Sequence, residues 1–253
     1  MRGSISSNQL LLDEGAFIAD TEAVTLTVQH TKVLAGGGIG APAVKIVGTT
    51  LELAERGFIR ARGAERARSL DSTTPIEKQA LDGADGVFVG GGGASGGNGA
   101  DGFQETITAT PVLGGKVRPA DISASAFAPN SPGGAGGSLV QMSGNDTIVR
   151  QRGGAGGGTI WVELRGALTM SGGSLEVTGE TITAMGALGD VGAGAGGAIY
   201  VRAREILGSG QLLAHGGRSV ASGGAGGGGR IAIAHQVRLV SLSICFPIAA
   251  RLP

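Results

Sequence analysis

Few residues in this chain have the type and spacing that chemistry needs. Gly93-Ala-Ser95-Gly-Gly97 fits the Gly-x-Ser-x-Gly turn that exposes the nucleophile of serine hydrolases, and a short strand, Val87-Phe88-Val89, precedes it. The helix that must follow cannot form over Asn98-Gly-Ala-Asp-Gly102, and no acid-then-histidine order comes later in a fitting context, so Ser95 reads as a turn residue. Gly96-Gly-Asn-Gly-Ala-Asp101-Gly-Phe103-Gln104 matches the calcium nonapeptide Gly-Gly-x-Gly-x-Asp-x-aliphatic-x, with Phe at the aliphatic place. Calcium wants six to eight oxygens, and one copy supplies only half a site, so a glycine-rich loop is expected at Asp101. His30, His215 and His235 have no metal-ligand spacing and no Cys or carboxylate cluster beside them. Gly-x-Gly-x-x-Gly matches precede strands, whereas a dinucleotide site needs them after a strand and before a helix; Gly114-Gly-Lys116-Val117 lacks the hydroxyl of a phosphate loop. No metal, no cofactor and no enzymatic activity are expected.

What positions these residues is an internal repeat. Residues 42–63, 158–179 and 197–216 superimpose, each with a strand, a second short strand and a closing Gly-x-aliphatic-x-small-x-Gly unit. Partial copies run over 137–153 and from 229 to 244. Within the strands the apolar residues alternate with period two. Ile160, Val162 and Leu164 point inward, as do Ile199, Val201 and Ala203, then Ile231 and Ile233. Such short strands bury their apolar face only by stacking rung on rung. The reading is an all-β, right-handed parallel β-helix of one domain over 1–253, with irregular loops at 64–136. Thr74-Pro75-Ile76-Glu77 reads as a capping box with Pro at the first helical position, predicting one short helix over 75–81. Glycine runs at 153–158, 192–197 and 223–229 stand before strands and are expected to form tight, stacked corners, where glycine's left-handed and closely packed conformations are useful.

The alignment places Lys45, Trp161, Tyr200 and Ala232 in one outward column, and Arg60, Glu176 and Leu213 in another. No carboxylate pair for cleaving a polysaccharide emerges. Trp161 and Tyr200 are the only Trp and Tyr of the chain, and they fall at the same position of neighbouring rungs. They are expected to stack on the outer face, where the pair stabilises the fold or offers a platform to a carbohydrate.

Composition supports a packed rather than disordered chain: 41% of the 253 residues are hydrophobic, although 51 are glycine. Only 3% are aromatic, so the core must be aliphatic. The net charge is zero, and Glu52, Glu55 and Glu65 interleave with the arginine run at 56, 60, 62, 66 and 68, which excludes a basic nucleic-acid stripe. The lone Cys245 excludes an intrachain disulfide. No apolar run reaches the ~18 residues of a membrane span, and the N-terminus lacks the apolar stretch of a signal peptide.

The order strand, Gly-x-Ile-x-Ala-x-Gly, glycine-rich loop, then Gly-Gly-x-Gly-Gly-Gly-x-Ile-x-Val, over roughly residues 42–235, resembles the glycine-rich β-helix regions of large cell-surface and extracellular proteins of bacteria, protists and plants. The resemblance implies a structural or adhesive module, extracellular or at the cell surface, facing a surface polysaccharide or another surface protein. Such proteins usually carry a signal peptide and further domains, so the chain is expected to be a piece of a longer one. The alternative is a carbohydrate-active or carbohydrate-binding β-helix, with its site in 83–136 or at Trp161/Tyr200. The run 238–246 is expected to form the terminal rung and, with no cap after it, to associate end to end.

Overall fold

The computed structural model describes residues 3–63, 82–86, 88–103, 111–116, 132–143, 146–183, 190–219, 222–235 and 243–244. They are all β and extended chain, with no helix among the described residues. The segment expected to be helical, 75–81, lies outside them, as do Val87 and Cys245.

Thirteen strands form one sheet in which every pairing is parallel. They are β1 (Gly3–Leu12), β2 (Phe17–Ala19), β3 (Val24–Val33), β4 (Gly38–Ala41), β5 (Ala43–Gly48), β6 (Thr50–Leu53) and β7 (Phe58–Ala61), followed by β10 (Thr159–Leu164), β11 (Ala167–Glu176), β12 (Ala198–Ala203), β13 (Glu205–Leu213), β14 (Arg230–His235) and β15 (Ser243–Ile244). Between the two groups, β8 (Leu139–Ser143) and β9 (Asp146–Gln151) form a separate two-stranded sheet.

The parallel pairings resolve into three ladders, each crossing successive rungs. Ile5, Leu26, Ile46, Val162, Val201 and Ile233 face one another along the first ladder. Leu12, Val33, Leu53 and Met170 do so along the second. Ile18, Ile39, Ile59, Leu175 and Leu212 do so along the third. Apart from Ile5, which is exposed, these aliphatic columns meet inside the stack as one core, in which Leu26, Ile39, Ile46, Leu51, Ile59 and Ile199 are fully buried. The inward assignments hold: Ile160, Val162, Leu164, Val201 and Ala203 are buried, while Ile231 and Ile233 are partly buried. Of the run 238–246 expected to form the terminal rung, Ser243–Ile244 pairs in register with Gln211–Leu212 of β13, and the rest lies outside the described residues.

Two rungs escaped the repeat: β1 with β2, and β3 with β4, stack below β5–β7 in register. At their shared corner the N–H groups of Ala16, Gly37 and Gly57 donate to the carbonyls three residues back. The third residue of each turn is left-handed, Gly15 at φ 73°, Gly36 at 71° and Arg56 at 59°. That φ sign at the third turn position selects glycine, so Arg56 is held there under strain.

The partial copy at 137–153 is not a rung. Its strands β8 and β9 form an antiparallel hairpin, with Val140 opposite Val149 and Met142 opposite Thr147. Two residues, Gly144-Asn145, separate the strands, which is a hairpin spacing.

The glycine runs are not corners either. Among the described residues the left-handed glycines, at 15, 36, 172 and 208, lie outside the three runs. The runs instead lie side by side as extended chains bonded through their backbones. Residues 190–197 show the rule. Gly192, Ala193 and Gly194 donate to Gly137, Gly224 and Glu180, which belong to three different segments. Ala195, Gly196 and Gly197 then donate to Gly134, Gly227 and Val177, returning to the same three segments in the same order. A rotation that closes every three residues is that of a polyproline II helix, which makes no internal hydrogen bonds and turns its N–H groups outward. The carbonyls of Gly192, Ala193 and Gly194 accept from Gly154, Gly93 and Gly217, in three further segments. One chain is thus hydrogen-bonded to six neighbours, and residues 190–197 are buried throughout.

Such packing demands glycine by distance rather than by dihedral angle. A Cβ on Gly194 would stand 1.9 Å from the Ala155 carbonyl oxygen, and one on Gly192 1.9 Å from that of Gly91. Residues 82–86, 88–103, 111–116 and 132–138 belong to the same array, so much of the stretch expected to be irregular is ordered in this way. The array and the rungs are continuous. Segment 190–197 leads into β12, 222–229 into β14, and β11 and β13 lead back out into 177–183 and 214–219.

Candidate functional site

The carboxylates of the array are committed to its backbone. Asp82 accepts the N–H of Ala135 at 2.8 Å, Asp85 that of Ser138 at 2.7 Å and Asp101 that of Gly114 at 2.7 Å. Glu180 accepts from Ala155 at 2.9 Å, and Asp190 from Ser222 at 3.1 Å. Polyproline II chains leave every N–H to an outside partner, so where no neighbouring chain provides an acceptor a carboxylate supplies it. Asp101 has Lys116 Nζ 3.7 Å away, a cation where a calcium site would gather further oxygens. Ser95 is buried within the array, its own N–H donating to the Gly97 carbonyl and its hydroxyl without a partner. The histidines are far apart in role: His30 Nδ1 lies 2.9 Å from the Thr50 hydroxyl, His215 Nδ1 is buried without a partner, and His235 is exposed at the end of β14. No three metal-binding side chains cluster among the described residues.

On the first ladder the expected outward column is present: Lys45, Trp161, Tyr200 and Ala232 face one another in register. The Trp161 and Tyr200 rings stack with centroids 4.2 Å apart at 36°. The pair is more enclosed than an outward position suggests, with Tyr200 only 8% exposed and the Trp161 indole N–H buried without an acceptor.

On the third ladder the column Arg60, Glu176 and Leu213 is also in register. Arg60 pairs with Glu176 at 2.7 Å, and its guanidinium lies 5.0 Å above the Phe58 ring. Beside this pair is a cleft of about 390 Å³ that includes Phe17, Asp20, Gly40, Pro42, Phe58 and Arg62. Its origin is a difference in size between rungs. Gly38 and Gly40 of β4 lie between Phe17 on the rung below and Phe58 with Arg60 on the rung above. Both rings lean over the glycines: an added Cβ would stand 2.4 Å from the Phe58 ring at Gly38 and 2.9 Å from the Phe17 ring at Gly40. The ring centroids are 5.8 Å apart, and Phe17 remains 55% exposed. Sequence reasoning missed this cleft because it missed the first two rungs; the signal was Phe17, Gly38 and Phe58 recurring at rung spacing.

No protein-family model matches the chain, nor does a curated protein or a solved structure. The class that the coordinates themselves define is an all-β protein of stacked parallel strands continuous with an array of glycine helices. Among the described residues no helix is long and apolar enough to cross a membrane.

Proposed function

We propose that the chain is a structural or adhesive module of a cell-surface or extracellular protein, built on a right-handed parallel β-helix. The observation that carries this reading is the six-neighbour bonding of residues 190–197. A body whose interior is satisfied backbone on all sides opens only by breaking many hydrogen bonds together, which suits a load-bearing scaffold. Rungs that enter and leave through the array tie the two parts, so a pull on one is shared by the other. The reading assigns no catalysis, and the polar side chains of the array support the backbone instead. Its partners are a surface polysaccharide or another surface protein, with end-to-end stacking through the C-terminal rung. Single-molecule extension of the chain between handles tests the scaffold: one high-force cooperative rupture supports it, and stepwise low-force unravelling refutes it. Sedimentation of the purified protein with cell-wall preparations tests adhesion, and a protein left entirely in the supernatant refutes that half.

A second reading, carbohydrate recognition at Trp161/Tyr200, is favoured by the buried indole N–H that lacks an acceptor. A sugar hydroxyl at the rim of the stacked pair would supply one. Trp161→Phe removes the N–H and keeps a ring; unchanged oligosaccharide binding by this variant excludes the indole N–H as the contact, and unchanged binding by Trp161→Ala excludes the pair as the platform.

A further inference from the structure

We infer that the cleft over β4 is a binding site for a neutral saccharide, an inference that rests on the adhesive reading and gives it a ligand class. Three features of the cleft converge on that chemistry. Its floor is Gly40 and Pro42 with no polar side chain, and its lower wall is the exposed ring of Phe17. Its rim carries one acceptor and one donor. Asp20 stands beside Gly40, held there by its N–H to the Gly40 carbonyl at 3.0 Å. One Asp20 carboxylate oxygen takes the Glu22 N–H at 3.0 Å, which leaves lone pairs on the other for a ligand. Arg62 follows β7 on the opposite side, exposed and without an ion-pair partner among the described residues. The second arginine of the cleft, Arg60, is already neutralised by Glu176.

The charges that remain, Asp20 and Arg62, therefore cancel. An anionic ligand would gain at Arg62 and lose at Asp20, and a cationic one the reverse. A pyranose needs neither, since its apolar C–H face covers an aromatic ring while its equatorial hydroxyls donate to a carboxylate and accept from a guanidinium. Asp20 and Arg62 lie on rungs two spacings apart, about 10 Å at the ordinary inter-strand distance, so hydroxyls on opposite edges of a ligand meet opposite walls. The volume sits at the lower end of the ~300–1,000 Å³ of ligand sites, with the usual mix of apolar lining and a few convergent polar groups.

The glycines of β4 are part of the site rather than of the backbone geometry. They let both rings lie down, which lowers the floor between the rungs; any side chain at Gly40 fills the place of the Phe17 ring.

The test is calorimetric titration of the intact chain with neutral cello-, malto- and chito-oligosaccharides of two to four rings, and with oligogalacturonate as the acidic comparison. Phe17→Ala, Asp20→Ala and Arg62→Ala all change exposed or half-exposed side chains, and thermal melting checks that each variant folds. Expected is binding of at least one neutral series, weakened about tenfold or more by Phe17→Ala and by Asp20→Ala, as for an anchor residue of an interface, and unchanged in Trp161→Phe. Three results overturn the inference. Neutral binding that survives Phe17→Ala but is lost in Trp161→Phe moves recognition to the aromatic stack and leaves the adhesive reading standing. Preference for oligogalacturonate contradicts the charge argument. No binding of any series removes the site, whereas the cell-wall sedimentation of the preceding section separately decides whether the protein adheres at all.

Discussion

Replacing Gly194 by alanine adds one methyl group at the centre of the glycine array, and the structure sets what that methyl meets. Its nearest neighbours would be the Ala155 oxygen at 1.9 Å, the Ala155 carbon at 2.4 Å and the Gly156 nitrogen at 2.9 Å, all backbone atoms. Ordinary contact begins more than 1 Å farther out, so two chains must separate, and neither is free to move. Gly194 donates to Glu180 at 3.2 Å and accepts from Gly217 at 2.7 Å, while the same Ala155 oxygen accepts from Glu180 at 2.8 Å. Stretching two or three of these bonds in a buried setting costs ~1–3 kcal/mol each. The summed destabilisation is about 3–5 kcal/mol, a large part of the ~5–15 kcal/mol that holds a domain folded. For a chain of this length that lowers Tm by roughly 6–20 °C. Gly228→Ala is the control, since nothing lies within 4 Å of its added Cβ and its φ is not left-handed. That variant is expected within about 0.5 kcal/mol of the parent, on the stabilising side if the unfolded chain loses freedom. Thermal and urea denaturation of both variants, followed by circular dichroism, decides the matter. Equal midpoints for Gly194→Ala and Gly228→Ala would refute the tight lattice around residues 190–197.

Arg56→Gly relieves a left-handed arginine at a turn whose equivalents are Gly15 and Gly36, and should raise stability by about 0.5–1 kcal/mol; an unchanged or lower Tm counts against the strain. Ile160→Asp and Ile199→Asp place a carboxylate in the dry core and should unfold the stack, whereas Glu163→Ala and Arg202→Ala should cost no more than about 0.5 kcal/mol. Similar melting temperatures for the two classes would reverse the inward and outward faces. Asp101→Ala removes the acceptor of the Gly114 N–H and should cost about 1–3 kcal/mol to the same extent with millimolar calcium as with chelator. A Tm of the parent that rises several degrees with calcium would show an ion at Asp101 instead.

The strands were legible because side chains report period two. Ile160, Trp161, Val162 and Glu163 alternate as strictly as Ile199, Tyr200, Val201 and Arg202, and the registers Trp161–Tyr200 and Arg60–Glu176 follow from that alternation. The first rungs were equally readable in Val24-Thr-Leu-Thr-Val, but they lack the closing glycine unit by which the repeat was recognised. The hairpin was mistaken for a rung because alternation alone does not distinguish a parallel partner from an antiparallel one; the Gly144-Asn145 spacing carried that information. The array was illegible for a deeper reason. Its three-residue rotation lives in backbone N–H directions, and a run such as Gly192-Ala-Gly-Ala-Gly-Gly has only two methyl groups to mark the phase. Composition signals only that chains approach closely, which fits a stacked corner and a hexagonal lattice alike. The cleft needed three rungs in register before Phe17, Gly38 and Phe58 could be seen as one wall, floor and wall.

The two halves of this molecule should respond differently to temperature. The stack is held by aliphatic burial, and exposing apolar surface raises heat capacity by ~0.45 cal/mol/K per Å². The array buries mainly peptide groups, with few large side chains among them, and exposing polar surface lowers heat capacity by ~0.26 cal/mol/K per Å². Unfolding the whole chain should then show a heat-capacity increment below the usual ~12–15 cal/mol/K per residue, and a stability curve flatter than that of an ordinary globular domain. On cooling, the aliphatic core loses part of its driving force while the backbone lattice keeps its own. In the cold, cohesion passes from the stack to the glycine helices that enter and leave its rungs.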